Sequence, residues 1–199
     1  MMNMPTEERL KKLTKAVEKR QRDLVMVLED VHDPHNAEAI FRSCDAFGVQ
    51  DVYLIFGESK KYNPKKVGKS SSSSANKWLD FHAFDSTKKC LKQLKKDGYK
   101  IYATVLHEDA RDIEKIDFVE NEKVAILIGN EHSGVSEEAV ELSDYKVIIP
   151  MRGMVQSFNV SVTSAMFLFE VNRQRLASGG DFSLEKKKQV KLLKDFVKR

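Results

Sequence analysis

The amino-acid sequence predicts an α/β fold in which a mainly parallel sheet is covered by helices on both faces. Two observations support this fold class. Short apolar runs alternate with helical patterns along most of the 199 residues. These runs are continuous rather than alternating between polar and apolar residues, as expected for parallel strands buried on both faces. The length is typical of one domain, alone or with appended helices.

In the first part of the chain, capping and stop residues mark the ends of the helices. Thr6 is placed to cap an apolar stripe at helical spacing, and this otherwise charged helix must pack on another element. Asp33 and Pro34 introduce a second helix, which Gly48 stops. The predicted elements are helices over residues 6–20 and 36–47 and strands over residues 24–28 and 52–56.

A long loop is predicted from Gly57 to Lys77, because this stretch has almost no apolar residues and includes the serine run Ser70 to Ser74. In the rest of the chain Ser86 caps a helix that ends at Gly98. The predicted strands are 78–84, 100–106, 124–128 and 146–149, and the later helices are 136–142, 160–176 and 184–197. The expected buried residues of the long helix include Val162, Ala165, Met166, Phe169 and Val171.

The charge is concentrated at the two ends of the chain. The formal net charge is only +4, but residues 9–22 and 173–199 are rich in lysine and arginine. Lysine-rich terminal helices are usually solvated faces. The alternative interpretation is an electrostatic surface for nucleic acid.

The remaining composition excludes several classes of protein. The two cysteines, Cys44 and Cys90, lie on different predicted helices, so neither a disulfide framework nor a cysteine metal site is expected. The five histidines show no i,i+4 pairing, and no metal is expected. Residues 1–8 are polar and no run of about 18 apolar residues occurs, which favours a cytoplasmic protein without a membrane span.

Ligands of parallel sheets bind beyond the carboxyl ends of the strands, and three predicted turns lie there. In the first, Asn36 stands at a helix start and Arg42 nearly two turns later. An arginine beside a helix N-terminus makes a good phosphate clamp. Capping by Asn36 and an ion pair between Arg42 and Glu38 explain this segment alone more simply.

The second and third turns are richer in possible ligand contacts. Residues 129–134 form a polar, glycine-containing turn that lacks a Walker ending, and no Gly-x-Gly-x-x-Gly occurs in the chain. In residues 149–162, Pro150 and Gly153 impose an irregular path before Asn159 or Ser161 caps the long helix. A tight, apolar loop with methionines at the end of a strand favours a small-molecule pocket.

Taken together and in this order, the three segments resemble the three motifs of the SpoU family of RNA ribose methyltransferases, within the SPOUT superfamily. The motif residues are Asn36 to Arg42, Ile128 to Glu131 with Gly134, and Ile149 to Met151 continuing to Ser157 through Ser161. The resemblance covers roughly residues 20–176. It is nearest to the enzymes that methylate guanosine 18 of tRNA, and their short basic flanking helices resemble residues 6–20 and 184–197.

The resemblance implies a trefoil knot near the carboxyl end, a homodimer, and S-adenosylmethionine as the cofactor. It also implies a division into an N-terminal helix (1–22), a methyltransferase domain (23–177) and a C-terminal helix (178–199). The residues by themselves predict an ordinary doubly wound sheet, since true knots are rare. The cofactor residues implied by the resemblance are Thr104, Gly129, Ile149, Met151, Ser157 and Phe158.

The implied reaction needs a group that activates a ribose 2′-oxygen, which is a poor nucleophile until it loses its proton. The family assigns this role to Arg42, with Asn36, Glu131, Ser157 and Asn159 around it. A neutral arginine conflicts with its very high pKa. We therefore expect Arg42 mainly to hold the substrate phosphate and stabilise the developing alkoxide, a direct role as base remaining open.

The resemblance places RNA contacts at Arg9, Arg20, His35, Arg173 and Arg175. The serine run at 70–74 departs from the family, whose members carry a glycine-containing stretch there. Three alternatives stay open. The substrate could be ribosomal RNA, although about twenty residues before the first strand are too few for the extra RNA-binding domain of many such enzymes. A non-catalytic RNA-binding protein could retain the fold, and an unrelated nucleotide-binding enzyme would lack its glycine signature.

Overall fold

The computed structural model describes residues 5–67, 75–121 and 123–199, so the serine run at 70–74 lies outside the described residues. Its centre is a seven-stranded sheet in which every pairing is parallel, in the order β3-β2-β1-β6-β4-β7-β5. The strands are β1 (Leu24–Glu29), β2 (Asp51–Ile55), β3 (Asp80–Phe84), β4 (Lys100–Thr104), β5 (Arg111–Asp112), β6 (Val124–Ile128) and β7 (Tyr145–Ile148). The α/β class predicted from the sequence is confirmed.

In the described residues six α-helices surround the sheet: α1 (Glu7–Glu18), α2 (Pro34–Ala46), α3 (Thr87–Lys96), α4 (Glu137–Leu142), α5 (Val160–Ala177) and α6 (Lys186–Lys198). Both faces of β1 are buried, which explains its uninterrupted apolar sequence. Its even-numbered residues join the core beneath α2 and α5, and Val25 and Val27 join the core beneath α3 and α4. Among the described residues no helix is long and apolar enough to cross a membrane.

The two terminal helices pack against each other. Leu13 and Val17 of α1 and Phe196 of α6 form a separate buried cluster, which Trp78 joins through a ring contact of 5.1 Å with Phe196. The expectation that α1 packs on another element is therefore confirmed. Because the Trp78 side chain packs in this cluster, β3 begins at Asp80 rather than at residue 78.

Other boundaries also differ from the prediction. The N-cap of α2 is Asp33, whose Oδ1 accepts from the backbone N–H of His35 at 2.8 Å. Asn36 therefore lies inside the first turn of the helix and does not cap it. The region 57–77 contains two short 3-10 turns, Pro64–Lys66 and Ala75–Lys77. The strand β5 was missed because two residues carry no periodic signal.

In α5 only one of the five residues predicted to be buried is buried. Val171 is buried as expected, Ala165 and Met166 are half-buried, and Val162 and Phe169 are exposed. Ser164, Phe167 and Leu168 contact the core instead, so the helix is apolar on more than one side. A helix of this kind has a second apolar face available for another partner.

Candidate active site

The carboxyl ends of β4, β6 and β7 meet at a single cavity of about 620 Å³. These strands are neighbours in the sheet, so the loops that follow them lie side by side. All six residues predicted to bind the cofactor line this cavity: Thr104, Gly129, Ile149, Met151, Ser157 and Phe158. The strand-end rule and the resemblance therefore lead to one place in the fold.

The cavity wall combines apolar side chains with charged ones. Leu106, Ile149 and Phe158 contribute apolar surface. The carboxylates of Glu131, Glu137 and Glu141 and the side chains of His107 and Lys146 also line it. Such a pocket suits a ligand with a flat apolar part and charged ends.

The Glu131 carboxylate joins two of the predicted motifs. Its Oε1 accepts from the backbone N–H of Asp33 and from Nδ2 of Asn36, both at 3.1 Å, and its Oε2 accepts from the backbone N–H of His32 at 3.2 Å. Asn36 in turn accepts, through Oδ1, from Nδ2 of Asn159 at 3.0 Å. Glu131, Asn36 and Asn159 therefore form one hydrogen-bonded chain across three segments that are distant in sequence.

These contacts favour the ionised form of Glu131. Burial of this half-buried side chain by itself raises its pKa, but the hydrogen bonds from Asn36 and from backbone amides outweigh burial and lower the pKa below its usual value. The negative charge of Glu131 also reaches Tyr62. Burial, and secondarily that charge, raise the pKa of Tyr62 to about 12.

Gly129 is required by the path of the backbone. A Cβ atom at this position would lie 2.2 Å from the carbonyl carbon and oxygen of Gly134. The turn is closed by a pair of backbone hydrogen bonds between Asn130 and Gly134, of 2.9 and 3.0 Å. The glycine at position 129 thus lets the turn fold against the strand end.

The buried carboxylate of Glu29, which was not predicted from the sequence, accepts hydrogen bonds from the residue that links the turn to α4. Glu29, only 3% exposed, accepts from the backbone N–H and the hydroxyl of Ser136 at 2.9 and 2.7 Å and from the hydroxyl of Thr87 at 2.6 Å. Ser136 caps α4 and Thr87 is the first residue of α3. An acidic residue at the end of an apolar strand was the available signal, because buried carboxylates need partners.

Arg42 lies outside the cavity of its own chain. Its side chain is exposed on α2, it does not line the cavity, and it makes no hydrogen bond or ion pair with the described residues. The ion pair with Glu38 considered from the sequence is not among its contacts. Of the predicted catalytic residues, Glu131 and Ser157 line the cavity and Asn36 and Asn159 adjoin it through Glu131.

Two of the five predicted RNA contacts have to be corrected. Arg20 is 2% exposed, and its guanidinium donates to the carbonyl oxygen of Val49 at 2.8 Å and to the carboxylate of Asp45 at 2.5 Å. Arg175 is 3% exposed and donates to the carbonyl oxygens of residues 22 and 23, and burial lowers its pKa to about 10. Both guanidinium groups are occupied inside the protein and are not available to a phosphate.

The other three predicted RNA contacts are at the surface. Arg9 and His35 are exposed, and Arg173 is exposed while forming two hydrogen bonds to Glu170, of 2.7 and 2.8 Å. In the part of the chain that the structure describes, no group of three or more histidine, cysteine, aspartate or glutamate side chains could hold a metal ion.

Comparison with known proteins gives the same family as the motifs. The chain is 41% identical over 180 residues to a tRNA (guanosine(18)-2′-O)-methyltransferase of Thermus thermophilus, covering 89% of each chain. A crystal structure described as the A. aeolicus TrmH/SpoU tRNA modifying enzyme superposes with a TM-score of 0.86 and 36% identity, over 96% of each chain. The SpoU methyltransferase AviRb from Streptomyces viridochromogenes, in complex with AdoMet, gives a TM-score of 0.68 and 27% identity over 82% of this chain and 62% of its own. The sequence model of the SpoU rRNA methylase family matches residues 23–169, and the chain belongs to that family.

Proposed function

We propose that this protein transfers a methyl group from S-adenosylmethionine to the ribose 2′-oxygen of guanosine 18 in tRNA. The observation that carries the proposal is the junction of the cavity with the chain of hydrogen bonds through Glu131. A methyl donor in the cavity would lie beside polar groups of three motifs. The names of the similar proteins support tRNA as the substrate and guanosine 18 as the target.

The cavity fits S-adenosylmethionine in size and in chemistry. Its volume of about 620 Å³ lies in the range of pockets for small organic ligands. Apolar side chains, Leu106, Ile149 and Phe158, suit a purine ring, and the carboxylates of Glu137 and Glu141 complement positive charge on the ligand. When bound, this cofactor supplies a methyl group made electrophilic by an adjacent sulfonium.

The residues of the chain divide into two roles. Glu131 holds Asn36 and the backbone at the start of α2, and so orders the edge over which a ribose would lie. Arg42 is the exposed cation available to hold the substrate phosphate and to stabilise the negative charge that develops on the 2′-oxygen. Its guanidinium stays charged, so stabilising the oxyanion is the role that agrees with its ordinary chemistry.

We further propose that the active form is a homodimer, because Arg42 is outside the cavity of its own chain. The residues Val162, Phe169 and Leu176 are spaced by seven along one face of α5 and are 44%, 56% and 75% exposed. Met154 and Val155, in the loop that lines the cavity, are also exposed, at 100% and 63%. A second copy seated on these apolar side chains would bury them and bring its own Arg42 to this cavity.

Three further features of the proposal follow the family. A trefoil knot, formed by the loops around the cavity, is proposed because the chain belongs to the SpoU family. Cytoplasmic location agrees with a tRNA substrate and with two buried free cysteines, Cys44 and Cys90. The division into residues 1–22, 23–177 and 178–199 stays a prediction.

The experiment is methylation of an unmodified tRNA transcript with methyl-labelled S-adenosylmethionine, followed by mapping of the 2′-O-methyl group. We expect one modified ribose, at guanosine 18, and no transfer to a transcript with deoxyguanosine there. Modification of ribosomal RNA in place of tRNA would contradict the proposed substrate. Absence of transfer to any RNA, with retained RNA binding, would contradict the enzymatic function.

Variants of Arg42 separate charge from shape. We expect Arg42→Ala to lower the rate of transfer by about 100-fold or more, a typical cost of removing one oxyanion stabiliser. Arg42→Lys keeps the charge but loses the planar fork, and should recover only part of the rate. Arg111→Ala removes an exposed arginine from β5, outside the cavity, and serves as the matched control. A wild-type rate in Arg42→Ala would remove Arg42 from the mechanism.

A further inference from the structure

We propose that residues 58–67, called here the β2 loop, form an RNA-binding surface in which Lys60, Lys61, Lys65 and Lys66 contact phosphates of the substrate. The inference rests on the proposed function, since it assigns a further contact surface for the same RNA. It concerns a part of the chain that none of the three motifs includes.

The β2 loop lies at the same edge of the sheet as the candidate active site. Its strand, β2, is the neighbour of β1, and β1 is the neighbour of β6. The order along the carboxyl edge is the β2 loop, the turn with Asn36, the turn with Glu131, and the cavity. Tyr62 of the β2 loop is near enough to Glu131 for that charge to act on its hydroxyl. An RNA strand reaching Asn36 from the side away from the cavity would pass over the loop.

The loop is anchored by side chains of Asp30 and Asn76 that form hydrogen bonds with its backbone. The carboxylate of Asp30, a residue held at φ 50°, accepts from the backbone N–H groups of Glu58 and Ser59 at 2.9 to 3.2 Å. Nδ2 of Asn76 donates to the carbonyl oxygens of Pro64 and Val67 at 3.0 and 2.8 Å. These bonds fix both ends of the loop relative to the sheet.

Two more contacts order its middle. The ring of Tyr62 packs edge-on against Phe56, at 5.1 Å between ring centroids, and contacts the main core. Oδ1 of Asn63 caps the turn Pro64–Lys66 by accepting from the backbone N–H of Lys65 at 3.0 Å. A lysine surface on an ordered backbone loses less entropy on binding than one on a mobile backbone.

The charge of the β2 loop is unbalanced. Its four lysines are exposed, and none forms an ion pair with a residue that the structure describes. The opposing charges are Glu58 within the loop, Asp30 bonded to the loop backbone, and Asp85 near Lys61, against four lysines. Lysine is depleted at protein–protein interfaces but contributes the phosphate contacts of nucleic-acid interfaces. The chemistry therefore favours RNA over a protein partner.

The loop also supplies cations where the buried arginines do not. Arg20 and Arg175, predicted as RNA contacts, are enclosed by their own chain. The β2 loop offers four positive charges at the edge where the ribose must lie. Phosphate contacts fix the register of an RNA on a protein without reading its sequence. The loop would position the RNA and leave recognition of the base to other groups.

The test is a variant in which all four lysines of the β2 loop are changed to glutamine. Dissociation constants for tRNA are measured between 50 and 200 mM salt, and S-adenosylmethionine binding by calorimetry. If all four lysines contact phosphates, the slope of log affinity against log salt becomes shallower by about 3. Cofactor affinity and the melting temperature should stay at their wild-type values, because the changed side chains are exposed.

A control of equal charge changes four lysines at the opposite, amino edge of the sheet, and its melting temperature is also measured, because Lys95 and Lys100 pair with Asp144 and Lys123 donates to the carbonyl oxygen of Asp97. Lys95, Lys96, Lys100 and Lys123 lie at the end of α3, at the start of β4 and just before β6. The control loses the same charge and should keep the wild-type slope. An equal slope in the β2-loop variant and the wild-type protein overturns the inference. Failure of the wild-type protein to methylate any RNA overturns the proposed function instead, so the two failures are distinguishable.

Discussion

The change of Arg20 to alanine should destabilise the protein and leave its contacts with RNA intact. Arg20 is enclosed between α2, α6 and the segment before β3, where it donates to the carbonyl oxygen of Val49 and to the carboxylate of Asp45. Its guanidinium also lies over the ring of Phe196, 5.5 Å from the ring centre. An arginine at the same end of the chain, Arg9, is exposed and provides the comparison.

The expected loss in the free energy of unfolding is about 3 kcal/mol. A charge-assisted hydrogen bond such as that to Val49 is worth about 2 kcal/mol. The pair with Asp45 is worth about 1 kcal/mol, since that carboxylate is one-third exposed and screened by water. The contact with Phe196 adds about 1 kcal/mol. The buried Nε of Arg20 has no hydrogen-bond partner among the described residues, so its removal also removes a desolvation cost and offsets about 1 kcal/mol of the loss.

Urea unfolding at one protein concentration measures this loss. Trp78, the single tryptophan, packs on Phe196 beside Arg20 and reports the transition by its fluorescence. At a temperature where the variant is folded, its tRNA affinity and salt slope should equal those of the wild-type protein. Arg9→Ala should show the reverse, unchanged stability with a shallower salt slope. Wild-type stability with weakened tRNA binding in Arg20→Ala would show that the guanidinium faces the RNA.

Three further changes test the turns that surround the cavity. Gly129→Ala should lower the free energy of unfolding by about 3 kcal/mol or more, because the Cβ of alanine would overlap the backbone of Gly134. Calorimetry should detect no cofactor binding to this variant. A stable variant that binds the cofactor would contradict the close approach. Glu29→Gln should cost about 2 kcal/mol in urea unfolding, because a neutral amide makes weaker hydrogen bonds to Ser136 and Thr87 than a carboxylate does, and an unchanged midpoint would remove this carboxylate from the support of the turn. The pKa of Glu131 is lowered in the folded state, so its contribution to stability is present at neutral pH and is lost as the pH falls through that pKa. Glu131→Gln should therefore lose less stability between pH 7 and pH 3 than the wild-type protein does. Identical acid profiles of the variant and the wild-type protein would argue against the network.

The sequence predicted most of the secondary structure because the strands of this sheet are buried on both faces. Continuous apolar runs such as residues 124–128 allow few other interpretations. The failures have local causes. Asp33 and Pro34 together satisfy the start of α2, which leaves no capping role for Asn36. Trp78 extends an apolar pattern but belongs to the contact between the terminal helices.

The candidate site was predictable in its loops and not in its internal support. The strand-end rule and the resemblance named the residues of the cavity, because those residues are determined by topology. Burial of Arg20 and Arg175 could not be read from the sequence, since charged side chains are almost always exposed. The bonds of Glu29 join residues more than fifty positions apart, and no local pattern indicates such pairs. The exposure of Phe169 likewise depends on which face of α5 the rest of the fold leaves uncovered.

The exposed stretch between Ile149 and Phe158 has a thermodynamic consequence. One half of it faces the cavity and the other half presents Met154 and Val155 to the outside. The cofactor and the second copy of the proposed homodimer would therefore contact a single piece of backbone. If one of them orders that backbone, the other binds at a lower entropic cost. By reciprocity, bound S-adenosylmethionine should raise the affinity between the two copies by a certain factor. Dimer formation should raise the affinity for S-adenosylmethionine by the same factor.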